Sequence, residues 1–267
     1  MPVLGHVTLI HKVFVFVTGF TLLFFSLRTT EHFNNHILMD EMDELAGVPW
    51  LYSVIGVIFS ILAAFVIQTE WEHYNRLVGA VKEEVGSLEQ LWLWSFHFPG
   101  EIRVKTQQAI HDYLDRTISE GLLKSSREGV RDVDETSMAA LRDTVFALAP
   151  NPELMFTSFS IFADIVKHHG SRLYYSSSHV PIIVRNTLVF GASLIIVLSF
   201  FIGVKNIWLD YIFSMGLGLL TFLIYLVVDD LDKPLRPGIW QLGTKDYQRL
   251  LHKVQYHKDP AAVGSPV

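Results

Sequence analysis

Asp229, Asp230 and Asp232 stand within four residues of one another and are followed by Lys233-Pro234. Carboxylate oxygens at that density are ligands for a hard cation such as Ca²⁺. They also close an apolar block, and acids at a helix C-terminus oppose the helix macrodipole. That conflict asks for a partner cation: a lysine, an arginine or a metal. The three aspartates are therefore the candidate Ca²⁺ site, set against the plainer reading of a solvated helix end.

Other residues carry weaker signals. His32 and His36 have the spacing of two metal ligands on one helical face, and His168-His169 adds a second pair. The pairs fall on opposite sides of the membrane in the topology below, and the spacings are incomplete. They are read as interfacial and surface histidines. Asp210 lies within an apolar block, where an acid is a functional candidate by default. Its neighbour Lys205 and its place near the block's edge favour a simple interfacial residue. Ser214 and Gly218 form a small-xxx-small face that lets helices approach closely. There is no Gly-rich phosphate loop, GxSxG elbow or HExxH, so no enzyme is expected. The chain has no cysteine, which removes disulfides and thiolate chemistry. Its net charge of −6 argues against a nucleic-acid partner.

The elements that hold these residues are set by hydropathy. Half of the 267 residues are hydrophobic, and they gather in four blocks: 9–27, 50–68, 182–204 and 207–228. Each is about the 20 helical residues that a hydrocarbon core of about 30 Å requires. In the first block an apolar run follows Lys12 but leads into Ser-Leu-Arg-Thr-Thr-Glu, without a small-x-small cleavage site, so it is read as a retained span. The expected organisation is spans one and two over 1–68 with a loop at 28–48, a helical domain over 69–181, spans three and four over 182–228, and a tail over 229–267. The loop 28–48 holds Arg28 against Glu31, Asp40, Glu41, Asp43 and Glu44, whereas the tail is rich in Lys and Arg. By the positive-inside rule both termini and the central domain are cytoplasmic and the protein is multi-pass in the cell membrane.

No proline interrupts the chain between Pro49 and Pro99. Trp71, Tyr74, Val78, Val81, Val85, Leu88 and Trp92 alternate spacings of three and four, a helical stripe. One helix over 50–98 is expected, running from the membrane into the central domain. Three further helical stripes follow: Ile102, Ile110, Leu114 and Ile118; Met138, Leu141, Val145 and Leu148; and Phe159, Phe162, Val166 and Leu173. No alternating strand pattern occurs, so the fold class is all-α.

Three segments together resemble the bestrophin-like domain family: QTEWEHYNRLVGAVKEEVGSLEQLW after span two, SRLYYSSSHVPIIVRNTL entering span three, and DDLDKPLRPGIW after span four. The resemblance covers most of the chain. It implies a homo-oligomeric channel, pentameric as in bestrophins, conducting small ions with anions such as chloride favoured. Its pore is then lined by span two. Thr69-Glu70-Trp71 resembles the stretch after the bestrophin neck, with Glu70 where bestrophins carry a basic residue. That carry-over places the neck on Val54, Ile58 and Leu62, and it likens Asp229, Asp230 and Asp232 to the bestrophin calcium clasp. The spacing i, i+4, i+8 puts the three neck residues on one helical face. The alternative is that this face packs inside the subunit and that the protein is a non-conducting membrane scaffold or sensor whose cytoplasmic helices bind a partner.

Overall fold

The computed structural model describes residues 2–33, 48–125, 131–177, 180–201, 206–236 and 238–258. Among these residues the only regular structure is helical. Helix α1 is Pro2–Phe33 and α2 is Val48–Trp94, which ends in a 3₁₀ turn, Ser95–His97. Then come α3 (Gly100–Ser125), α4 (Arg131–Phe146), α5 (Pro152–Ser177), α6 (Ile182–Phe201), α7 (Ile207–Leu231) and α8 (Lys245–Lys258). Among the described residues four helical stretches are long and apolar enough to cross a membrane: Leu9–Thr30, the start of α2, the stretch that ends at Phe200, and Ile207–Leu231. The α2 helix is continuous, as the proline-free stretch predicts, and it passes Gly79 and Gly86 without a break.

The chain forms two compact units: residues 1–72 with 179–240, and residues 73–178 with 241–267. The expected tail is thus divided. Its first part belongs to the apolar unit and α8 to the other.

In the apolar unit, Phe59, Ala63 and Val66 of α2 meet Leu188 and Ile195 of α6 and Val228 of α7 in one buried cluster. Gly191 makes room for this, since a Cβ there would lie 2.9 Å from the Phe59 ring. Helix α1 packs on α7: Phe16 stacks on Phe222 with ring centroids 4.3 Å apart. The Ser214–Gly218 face takes the Phe20 ring, which leaves 2.8 Å to a Cβ on Gly218. Asn206 caps α7 by accepting from the backbone of Trp208 at 3.0 Å and Leu209 at 3.4 Å.

Asp210 departs from the sequence reading. It is only 2 % exposed and forms an ion pair with Arg28 of α1, which also donates to the Phe200 carbonyl at 3.3 Å. It is a buried tie between α1 and α7 rather than a water-exposed acid. Hydropathy places Asp210 near a block edge but says nothing about which cation closes on it.

In the second unit the buried side chains include Leu77, Val81, Leu88 and Trp92 of α2, Ile110 and Leu114 of α3, Leu141 and Val145 of α4, Ile161 and Ile165 of α5, and Leu250 and Val254 of α8. The stripes expected on α3 and α4 match this core. The α5 stripe matches only in part: Phe162 is buried and Leu173 half-buried, but Phe159 and Val166 point outward, and Ser158, Ile161, Ile165, His169 and Arg172 complete the inward face. The inward face carries polar and charged residues, so apolar periodicity takes in only part of it.

Candidate functional site

The second helix presents two faces over its apolar part. One carries Phe59, Ala63, Val66 and Glu70 into the unit; Glu70 is 7 % exposed. The other carries Val57, Ile58, Ile61 and Phe65, which no described helix of the subunit covers. Ile58 belongs to this open face at 61 % exposure. Val54 and Leu62, one turn to either side, are half-buried, and Leu62 packs against the Phe59 cluster. The three neck candidates therefore share a helical edge on which only the middle one is fully open. At a rise of 1.5 Å per residue, their Cα atoms are stacked about 6 Å apart.

The three aspartates that close α7 each have a different partner. Asp229 is paired with Lys233 one turn on, and Lys12 of α1 stands 3.9 Å from its second oxygen. Asp230 accepts from the backbone N–H groups of Ile239 at 2.8 Å and Trp240 at 3.2 Å. Gly238 lies against that carboxylate, and a Cβ there would overlap it. Asp232 accepts from the Val180 N–H at 2.7 Å, at the entry to α6. Among the described residues no group of three His, Asp or Glu side chains stands close enough to hold a metal ion.

The second unit contains a charged centre that the sequence reading missed. Glu84 of α2 is fully buried. Its carboxylate accepts from Arg172 Nε of α5 at 2.7 Å, from the Tyr247 hydroxyl of α8 at 3.0 Å, and from the Tyr113 hydroxyl of α3. His169 Nδ1 lies 2.9 Å from the Tyr113 hydroxyl. Burial pushes the Glu84 carboxyl up, but Arg172, together with the His169 and Tyr113 contacts, outweighs it and holds the group well below the usual carboxylate range. One carboxylate thus joins four helices, and satisfied buried networks of this kind specify a single packing. A glutamate inside an apolar stripe, one turn before Leu88, is the only trace this centre leaves in sequence.

His169, read from sequence as a surface residue, is instead buried, at 8 % exposure. His168 Nδ1 lies 3.0 Å from Glu83, and His169 belongs to the Glu84 centre. The side chains of His32 and His36 lie outside the described residues.

Fold and hydropathy together define a multi-pass helical membrane protein. The model of the Bestrophin-like domain matches residues 14–239. The chain belongs to that family. Among solved structures, a mutant form of a bacterial Bestrophin homologue from Klebsiella pneumoniae superposes with a TM-score of 0.71 at 10% identity, covering 92% of this chain and 98% of that one. A second mutant of the homologue gives 0.71 at 9% identity, over 93% and 97%. A crystal structure described as a membrane protein gives 0.70 at 9% identity, over 97% and 99%. At such identities the likeness is one of fold. No curated protein sequence matches the chain.

Proposed function

We propose that the chain is the subunit of an oligomeric ion channel whose axial path is lined by α2. The observation that carries the reading is the open apolar face of α2 around Ile58, on a helix that runs unbroken for 47 residues. Family membership and the bestrophin-like fold support it. A path on a symmetry axis needs one helix from each subunit, and α2 has a face to offer. Val54, Ile58 and Leu62 then form the neck, and apolar constrictions of this kind gate by dewetting. The assembly is a homopentamer and the ions are small, with anions favoured, by resemblance to bestrophins. The Lys/Arg bias supports termini and helical domain on the cytoplasmic side.

The test is conductance of the purified protein in planar bilayers, wild type against Val54→Ala/Ile58→Ala/Leu62→Ala. The expected result is an assembled variant with larger conductance. An assembled, stable variant whose conductance is unchanged or lost would defeat the pore assignment. Ile58→Ala alone serves as the second variant, because an open side chain is removed with little loss of packing inside the subunit.

A further inference from the structure

We propose that the aspartate cluster closing α7 is a metal-independent latch, with Lys233 and Lys12 as its resident cations. The inference stands on unit geometry and does not depend on whether the protein conducts.

A Ca²⁺ ion takes six to eight oxygens at about 2.3–2.6 Å. To meet that demand, the three carboxylates would have to turn toward one point. Here they turn toward three. Asp229 faces Lys233 and Lys12. Asp230 holds the N–H groups of Ile239 and Trp240, in a place where Gly238 leaves no room for a side chain. Asp232 holds the N–H of Val180. Gathering them around an ion would break contacts to α1, to the 238–240 turn and to the entry of α6. Each of those backbone N–H groups would then lack the carboxylate that now accepts from it.

The lysines answer the electrostatic need that makes a metal attractive. Two acids in the last turn of α7 and a third at its C-cap oppose the helix dipole. Lys233, just past the C-cap, turns back onto Asp229 four residues earlier, where a cation also complements the helix C-terminus. Lys12 adds a second positive charge from α1. A tethered cation is present at every ion concentration, so the latch holds α1, α7, the turn and the start of α6 in register without an external signal.

The experiment is thermal unfolding of the full chain in detergent, with EDTA and with added Ca²⁺. The wild-type Tm is expected to be the same in both. Lys233→Met should lower it by a few degrees, and Lys233→Arg should restore most of the loss. Asp229→Asn in the Lys233→Met background should recover part of the fall, because it removes the charge left uncompensated. Mass action predicts the opposite for a metal site: Ca²⁺ raises the wild-type Tm and the Asp229→Asn/Asp230→Asn/Asp232→Asn variant loses the rise. That result would overturn the proposal. So would a Lys233→Met protein with the wild-type Tm. If Lys233→Met does not fold, Lys12→Met, at the more exposed cation, gives the same sign with a smaller shift, and no fall there would equally count against the latch.

Discussion

Replacing Glu84 by glutamine removes one charge from a centre in which every partner is buried. The Glu84 side chain is 0% exposed and that of Arg172 2%. Glutamine keeps the shape and an acceptor for Arg172 Nε, but removes the negative charge that faces the guanidinium. Breaking a buried pair on one side costs about 3–5 kcal/mol, because the remaining ion has lost its compensation. For a domain of 150–250 residues each kcal/mol moves Tm by about 2–4 °C, so the expected fall is about 6–20 °C. The assay is thermal unfolding in detergent, followed by tryptophan fluorescence; buried Trp92 stands on the same helix as Glu84. The companion variant Glu84→Met/Arg172→Met removes both charges and should be closer to wild type than Glu84→Gln, since replacing a whole buried pair by apolar side chains is often neutral. If Glu84→Gln shifts Tm by less than about 2 °C, or if the double variant falls by the sum of the singles, the buried centre is not what holds these four helices together.

The same centre sets an acid limb. Glu84 is held below its unfolded value, so its contribution is complete above the unfolded carboxyl pKa of about 4.3 and is lost as pH falls below that toward the folded value. A plot of Tm against pH should drop more steeply in wild type than in Glu84→Gln below about pH 4, and parallel curves would contradict the sign. Asp210→Asn should destabilise the apolar unit by about 3–5 kcal/mol through the buried Arg28, measured by denaturant unfolding in mixed micelles, whereas Arg28→Met/Asp210→Leu should recover much of it. A reporter that works only in the cytoplasm, attached at Val267, should be active; a well-expressed silent fusion would invert the proposed topology.

Several features are legible because they depend on local properties. Four apolar blocks of membrane length, the lack of any alternating strand pattern, and the proline-free run after Pro49 lead to an all-helical fold with one long second helix. Each follows from residue hydropathy and backbone freedom over a few turns. The acid–dipole conflict at Asp229, Asp230 and Asp232 is equally local, and it already asks for a lysine, an arginine or a metal.

Which cation answers is not local. Lys12 reaches Asp229 from α1, more than 200 residues earlier in the chain. Arg28 finds Asp210 at a separation of 182 positions, and Glu84 finds Arg172 at 88. Apolar periodicity is silent about such pairs, since it scores a buried charge as a break in the stripe. It therefore caught Phe162 on the inward face of α5 but took outward Phe159 and Val166 in place of His169 and Arg172. Hydropathy determined the four apolar spans and the long second helix, because solvent transfer acts on each residue where it stands. Only the tertiary structure decided which charged side chains lie inside, because a buried charge is tolerable only once a distant partner has been brought within hydrogen-bond reach.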